Sequence, residues 1–191
     1  MGYRRYGSPG LGIVVYLIIT CLVVFVATAV SPRLLDAIVF KSYEFPSHAW
    51  TIITSLFAHG SIVHILSNML VLYFFGTFLV SIIGERWLLL VYFLGGIAGN
   101  LLFWWLVPGG EALGASGAIF ALGGALLVLR PNQPTMMLFI PVTIPLWISV
   151  IVGFLLTFGS AGIAWQAHLG GLVVGAISGF FFRSQERGRF F

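Results

Sequence analysis

Three short stretches carry side chains able to do chemistry: "AHGSIVHILSNM" (residues 58–69), "GASGAIF" (114–120) and "AHLGGLVVG" (167–175). A serine hydroxyl is a weak nucleophile until a neighbouring base takes its proton, and neutral histidine suits that role. Ser116 and His168 are the candidates for nucleophile and base. Attack on an amide creates an oxyanion, which needs donors already in place. Asn68 Nδ2, the Ser116 backbone N–H and the His64 ring are the candidate donors. His64 and Asn68 are four apart and share one helix face. Ser116 opens a short apolar run, and a helix start offers free N–H groups and positive partial charge. No Asp or Glu stands in an apolar run near these positions, so the expected unit is a Ser–His dyad without a carboxylate third member. Water must reach it, because deacylation consumes water.

The elements that hold these residues follow from composition. Of 191 residues, 60% are hydrophobic and 7% charged, with a mean hydropathy of +1.09. Soluble domains carry roughly 25% charged residues; this chain's solvent is lipid. Six spans are expected, over about 11–30, 62–83, 88–106, 115–129, 136–157 and 164–182, in a single domain covering 1–191. The fold class is an all-α membrane bundle of six helices, with a long outer loop between the first two. The first span exceeds the roughly 7–15 apolar residues of a signal peptide and is expected to remain. Cys21 is the single cysteine, which excludes a disulfide framework. The net charge of +4 comes from residues in ones and twos at span ends, and this argues against nucleic acid. With the N-terminus inside, Arg4, Arg5, Arg86, Arg130, Arg183, Arg187 and Arg189 lie inside and only Arg33 and Lys41 outside. That asymmetry places both termini in the cytoplasm.

Polar groups in a span are costly, so each needs a reason. The fourth span covers about 22 Å at 1.5 Å per residue, short of a hydrocarbon core of about 30 Å. With Arg130 at the inner interface, Ser116 starts below the outer surface, and Gly109, Gly110 and Gly114 suit an irregular, inward-dipping approach. His168 is expected ~6 Å deep and Asn68 ~9 Å, with His64 one turn above it. The four residues therefore share a shallow outer slab. Gly171, Gly175 and Gly179 on the sixth span, and Gly117, Ala121 and Gly124 on the fourth, permit a close backbone crossing. Such a crossing brings Ser116 and His168 into reach. In the outer loop, Trp50, Ile53 and Phe57 recur at helical spacing between Thr51, Thr54 and Ser55, which fits either an amphipathic interfacial segment anchored by Trp50 or a packed loop of no special role.

The three quoted blocks, in this order on spans two, four and six, resemble the rhomboid intramembrane serine proteases in their minimal six-helix form. The resemblance covers nearly the whole chain. It implies Ser116 as nucleophile, His168 as general base, His64 and Asn68 on the oxyanion side, and Gly114 as the first glycine of the serine motif. It also implies transmembrane protein substrates cut in or near their membrane segment, and a lateral gate at span five. Pro141 and Pro145 are expected to loosen that span, with Trp147 at the gate. The chain departs from many relatives in three ways. Trp50 is followed by Thr51 instead of arginine, Val80 and Ser81 stand where an acidic residue is common, and Phe120 replaces a tyrosine.

The expected function is therefore an intramembrane serine endopeptidase, with no cofactor, no metal and no nucleic acid as partner. The alternative is a catalytically inactive rhomboid-like protein that binds membrane clients. A transporter using His64 and His168 as proton relays is weaker, as no acidic residue is buried and no inverted repeat appears. A metal site among His48, His59, His64 and His168 lacks an H-E-x-x-H pattern; His59 is expected to be hydrogen-bonded in its loop. The location implied by the resemblance is a prokaryotic plasma membrane.

Overall fold

Long, largely apolar runs give the four longest helices, and several of the residues that end them are readable from the sequence. The structure, a computed structural model, describes residues 11–137, 140–158 and 162–188. Helix α1 (Leu11–Val30) stops at Ser31, whose hydroxyl accepts from Leu34 N and caps α2 (Pro32–Ile38). Proline at the first position of α2 loses nothing, because that N–H would lack an intrahelical acceptor anyway. Strand β1 (Phe40–Lys41) follows, then α3 (Thr51–Thr54) and a 3-10 turn at Ser55–Phe57. Ser61 Oγ accepts from His64 N and starts α4 (Ile62–Ile83). Gly84, at φ 84°, separates α4 from α5 (Glu85–Leu106). Strand β2 (Glu111–Ala112) pairs antiparallel with β1, Phe40 opposite Ala112. Then come α6 (Ser116–Leu129), the hairpin β3 (Pro134–Met137) and β4 (Ile140–Pro145), α7 (Leu146–Leu155) and α8 (Trp165–Gly188).

The chain is mostly helical, with two small two-stranded sheets. Four helices, Gly12–Val30, Ile62–Ile83, Glu85–Leu106 and Trp165–Gln185, are long and apolar enough to cross a membrane. That makes it a multi-pass membrane protein. Helices α6 and α7 are apolar but shorter. At 14 residues, α6 spans roughly 21 Å.

Helix α6 is the centre of the molecule. Gly117, Ala118, Ile119 and Ala121 to Leu126 are all buried, as expected of a helix apolar on every side. Helices α5 and α8 pack on it through small residues. A Cβ on Gly171 or Gly175 would collide with the carbonyl oxygens of Gly117 and Ala121 respectively, and one on Gly179 would lie 2.8 Å from Ala125 O. Helix α5 joins the seam, since a Cβ on Gly95 would overlap that of Ala121. On the other side, a Cβ on Gly170 would lie 2.8 Å from Ala98 O.

Two expectations need correction. The fifth span was expected as one helix from 136 to 157, loosened by Pro141 and Pro145. The helix begins only at Leu146; Pro141 lies in β4 and Pro145 directly precedes α7. Proline biases its predecessor to extended backbone, so "IPVTIP" forms a strand and the helix starts beyond it. The connection 31–61 also holds more than the expected loop with one amphipathic segment, since α2 and β1 lie within it. Its expected amphipathic stripe is only four residues of α3 plus the 3-10 turn, with Trp50 and Ile53 exposed and Thr51 and Ser55 buried. The polar residues face inward there because the interior supplies their hydrogen-bond partners: Thr51 Oγ1 donates to His48 O, and Ser55 Oγ accepts from Asn100 Nδ2.

Candidate active site

Ser116 is the first residue of α6, preceded by Ala115, which offers no side-chain cap. The first-turn N–H groups are thus without intrahelical acceptors at the serine's own position. His168 is the fourth residue of α8 and 5% exposed. The glycine seam lets the two backbones approach until Ser116 Oγ and His168 Nε2 are 2.7 Å apart. That is hydrogen-bond distance. Phe120, one helical turn after Ser116, stacks on the imidazole with ring centroids 4.7 Å apart and planes 29° apart. Phe154 of α7 meets Phe120 edge-on at 5.9 Å. The ring is therefore held by the serine at one edge and an aromatic face at its side. His168 Nδ1 is buried with no partner among the described residues, so nothing acidic orients the imidazole from behind.

Gly114 is needed twice over. Its φ of 116° is one that side chains rarely adopt. A Cβ there would also lie 2.7 Å from His64 Nε2 and 3.8 Å from Ser116 Oγ. The His64 ring thus rests against the Gly114 backbone on the serine's side. Asn68 is buried one turn further along α4; its Nδ2 donates to His64 O at 2.8 Å, and its Oδ1 has no partner among the described residues. Ser116, His168, His64 and Gly114 therefore meet. Asn68 sits behind His64, with one amide proton committed to the helix backbone.

His59 and His48 part company. His48 is half-exposed, 3.3 Å from Glu44 and edge-on to Trp50. His59 is buried, its ring 5.0 Å from that of His64. Its Nδ1 is 3.2 Å from Phe57 O; a carbonyl only accepts, so Nδ1 carries the proton and Nε2 is the acceptor. Facing Nε2 is the Ala115 N–H, at 3.5 Å a long contact. Burial, then the neighbouring His64, lowers the His59 pKa to about 4.

Two residues given no role at the site by the sequence, Asn100 and Ser55, belong beside it. Asn100 of α5 is 4% exposed, and its Nδ2 donates at 2.9 Å to both Ile52 O and Ser55 Oγ. The Ser55 carbonyl in turn accepts from Gly114 N at 2.9 Å. A lone asparagine within "GGIAGNLLF" was the available signal, since a buried amide in a span needs partners.

Comparison with known proteins fits this architecture. A Rhomboid domain family model matches residues 46–185. The chain is 35% identical over 152 residues to RHOMBOID-like protein 12, mitochondrial, of Arabidopsis thaliana, covering 67% of this chain and 45% of that one. It is 29% identical over 160 residues to Rhomboid protein 1, mitochondrial, of Saccharomyces cerevisiae, covering 78% and 46%. Against Rhomboid protease GluP of Bacillus subtilis the identity is 37% over 128 residues, covering 66% and 24%. The chain spans less than half the length of these three relatives. Two of them carry a mitochondrial designation and one is bacterial, so they lend no support to the prokaryotic plasma membrane expected from sequence.

Proposed function

The chain belongs to the rhomboid family, and from that premise we propose that it is a serine endopeptidase cutting transmembrane proteins in or near their membrane segment. The observation carrying this reading is the 2.7 Å approach of Ser116 Oγ to His168 Nε2. With Nε2 as acceptor, the imidazole holds its proton on Nδ1. Ser116 Oγ attacks the scissile carbonyl while Nε2 takes the hydroxyl proton. The tetrahedral intermediate collapses as Nε2–H protonates the leaving amine, giving an acyl-enzyme. Water, deprotonated by Nε2, attacks the acyl carbonyl; the C–Oγ bond breaks as Nε2–H returns its proton to Ser116 Oγ, releasing the acid product. The oxyanion is stabilised by the Ser116 N–H, the His64 ring and the uncommitted amide proton of Asn68. Gly114 keeps His64 and the serine on one side of the chain. Phe120 substitutes stacking for the missing carboxylate in holding the imidazole.

The same reading treats residues 1–191 as one membrane domain of six spans, with α6 and α7 as the two short ones. Both termini face the cytoplasm, as the Lys/Arg asymmetry supports. Seen this way, Ser116 lies beneath the outer leaflet's headgroups, and α7 flanks the route by which a substrate helix arrives.

The test is labelling of purified protein by a fluorophosphonate, with mass spectrometry locating the adduct, beside cleavage of a model transmembrane substrate. Wild type should be modified at Ser116 and should cleave; Ser116→Ala and His168→Ala should do neither while remaining folded. Modification elsewhere that spares Ser116, or undiminished cleavage by His168→Ala, would remove the dyad.

A further inference from the structure

The proposed chemistry lies on α4, α6 and α8, yet a buried polar side chain tied to the same loop belongs to α5. Asn100 donates from one amide nitrogen to two acceptors, Ile52 O and Ser55 Oγ, both at 2.9 Å. Four residues earlier, on the same face of α5, a Cβ on Gly96 would lie 2.6 Å from Leu56 Cδ1. Leu56 is 2% exposed. The turn at 52–57 is therefore seated on α5 twice, by a side chain pressed into a glycine notch and by an amide nitrogen that donates to two acceptors. From that seat the turn reaches the loop before the serine. Ser55 O accepts Gly114 N at 2.9 Å, and His59 Nε2 faces Ala115 N. Two consecutive amides ahead of Ser116 are thus spoken for. Among the described residues, that leaves the Ser116 N–H as the first donor aligned with the helix start.

We propose that Asn100 is a positioning residue for the oxyanion side of the site, acting through Ser55 on Gly114 and hence on the Ser116 N–H and the His64 ring. This rests on the peptidase reading above. α5 holds Ser55 by its hydroxyl, the Ser55 carbonyl accepts from Gly114 N and so sets where Gly114 turns, and Gly114 in turn decides how close His64 and the Ser116 amide come to a developing oxyanion. Without the Asn100 amide, Ser55 and Ile52 lose their buried donor, and the turn is free to relax away from α5. Donors aimed at a transition-state oxygen are sensitive to small shifts, a misplacement of about 1 Å costing on the order of 10²-fold in rate. Substrate docking along the helices is a separate matter, so the effect belongs in kcat.

The experiment measures kcat and KM per folded molecule, together with the rate of fluorophosphonate labelling, for Asn100→Ala, Ser55→Ala and a control, Leu88→Ala. Leu88 is fully buried on the same helix, far along it from Asn100, and its truncation should lower stability alone. Asn100→Ala is expected to lower kcat and labelling by roughly 10- to 100-fold with KM within about threefold. Ser55→Ala keeps the carbonyl and loses one of the two acceptors, so it should show the same split at a smaller size. If Asn100→Ala fails to fold, Ser55→Ala decides by the same criterion. A loss in kcat no larger than that of Leu88→Ala, or a loss confined to KM, overturns the proposal while wild-type cleavage leaves the peptidase reading standing. Absence of labelling and cleavage in wild type itself takes both down.

Discussion

The two flanks of α6 differ in how they are built. Toward α8, backbone meets backbone: Gly117 faces Gly171, Ala121 faces Gly175, and a Cβ on Gly124 would lie 2.9 Å from Ala176 N; toward α5, the bare Gly95 backbone meets the Ala121 methyl. Toward α7 the contact is made by side chains, chiefly Leu146 and Val150, while Trp147, Ile151 and Leu155 are exposed and Gly153 has open space around it. Side chains in contact can repack; backbones in contact cannot move without collision. The difference assigns rigidity to the flank that sets the Ser116–His168 distance and tolerance to the flank that the proposed function makes the substrate's route. Phe120 bridges the two, stacked on His168 and touching Phe154 of α7.

The harshest way to break that contrast is Gly175→Leu. Its side chain has no room against Ala121 O, so the helices must part and the dyad with them. Labelling of Ser116 should become undetectable and the melting temperature should fall; a variant labelled at the wild-type rate would show that the seam does not set the dyad distance.

Next in size is the effect of acid on the turn beside the rigid flank. His59 has its pKa lowered to about 4, from 6.5, chiefly by burial. Below pH 6.5 the unfolded chain binds a proton that the folded one refuses. Stability should thus be full above pH 6.5, decline between 6.5 and about 4, and stop declining through this group below that. Melting curves in detergent across that window should show a shallower decline for His59→Gln, which does not titrate. An unchanged slope would mean that the decline comes from other groups.

A smaller effect is expected at the bridge. Removing the ring in Phe120→Ala forfeits a stacking contact worth about 0.5–1.5 kcal/mol, or roughly 2- to 12-fold in kcat, whereas Phe120→Tyr should keep it. Equal rates for alanine and phenylalanine would show that the imidazole needs no such support. Smallest of all, Gly153→Ala on the loose flank should leave cleavage intact and raise stability by at most about 1 kcal/mol, the helix-propensity gain. A marked loss of activity there would mean that α7 is as closely fitted as α8.

Much of the candidate site was readable from local chemistry. Ser116, His168, His64 and Asn68 stood out because each is a polar group in a run where polarity is costly. The glycine stripes on α6 and α8 were visible as small residues at helical spacing. Asn100 was equally conspicuous by that criterion, and Gly95, Gly96 and Gly99 beside it marked α5 as a third member of the seam. They were missed because no reactive group accompanies them. The fifth helix was drawn too long because apolar content alone does not tell strand from helix in "TMMLFIPVTIP", and the prolines were counted as kinks within a helix when they keep the chain extended.

The order of residues along the chain was enough to establish the solvent, since an apolar chain this poor in charge cannot face water, and to pick out the groups whose burial demands a purpose. Both are properties of residues taken a few at a time. What the tertiary structure decided is distance: that positions 52 residues apart stand within a hydrogen bond, that Gly114 turns against His64, and that α5 reaches Gly114 through Ser55. Those outcomes depend on how closely helices dock, and docking is settled jointly by backbone sterics on three helices at once, which no single stretch encodes.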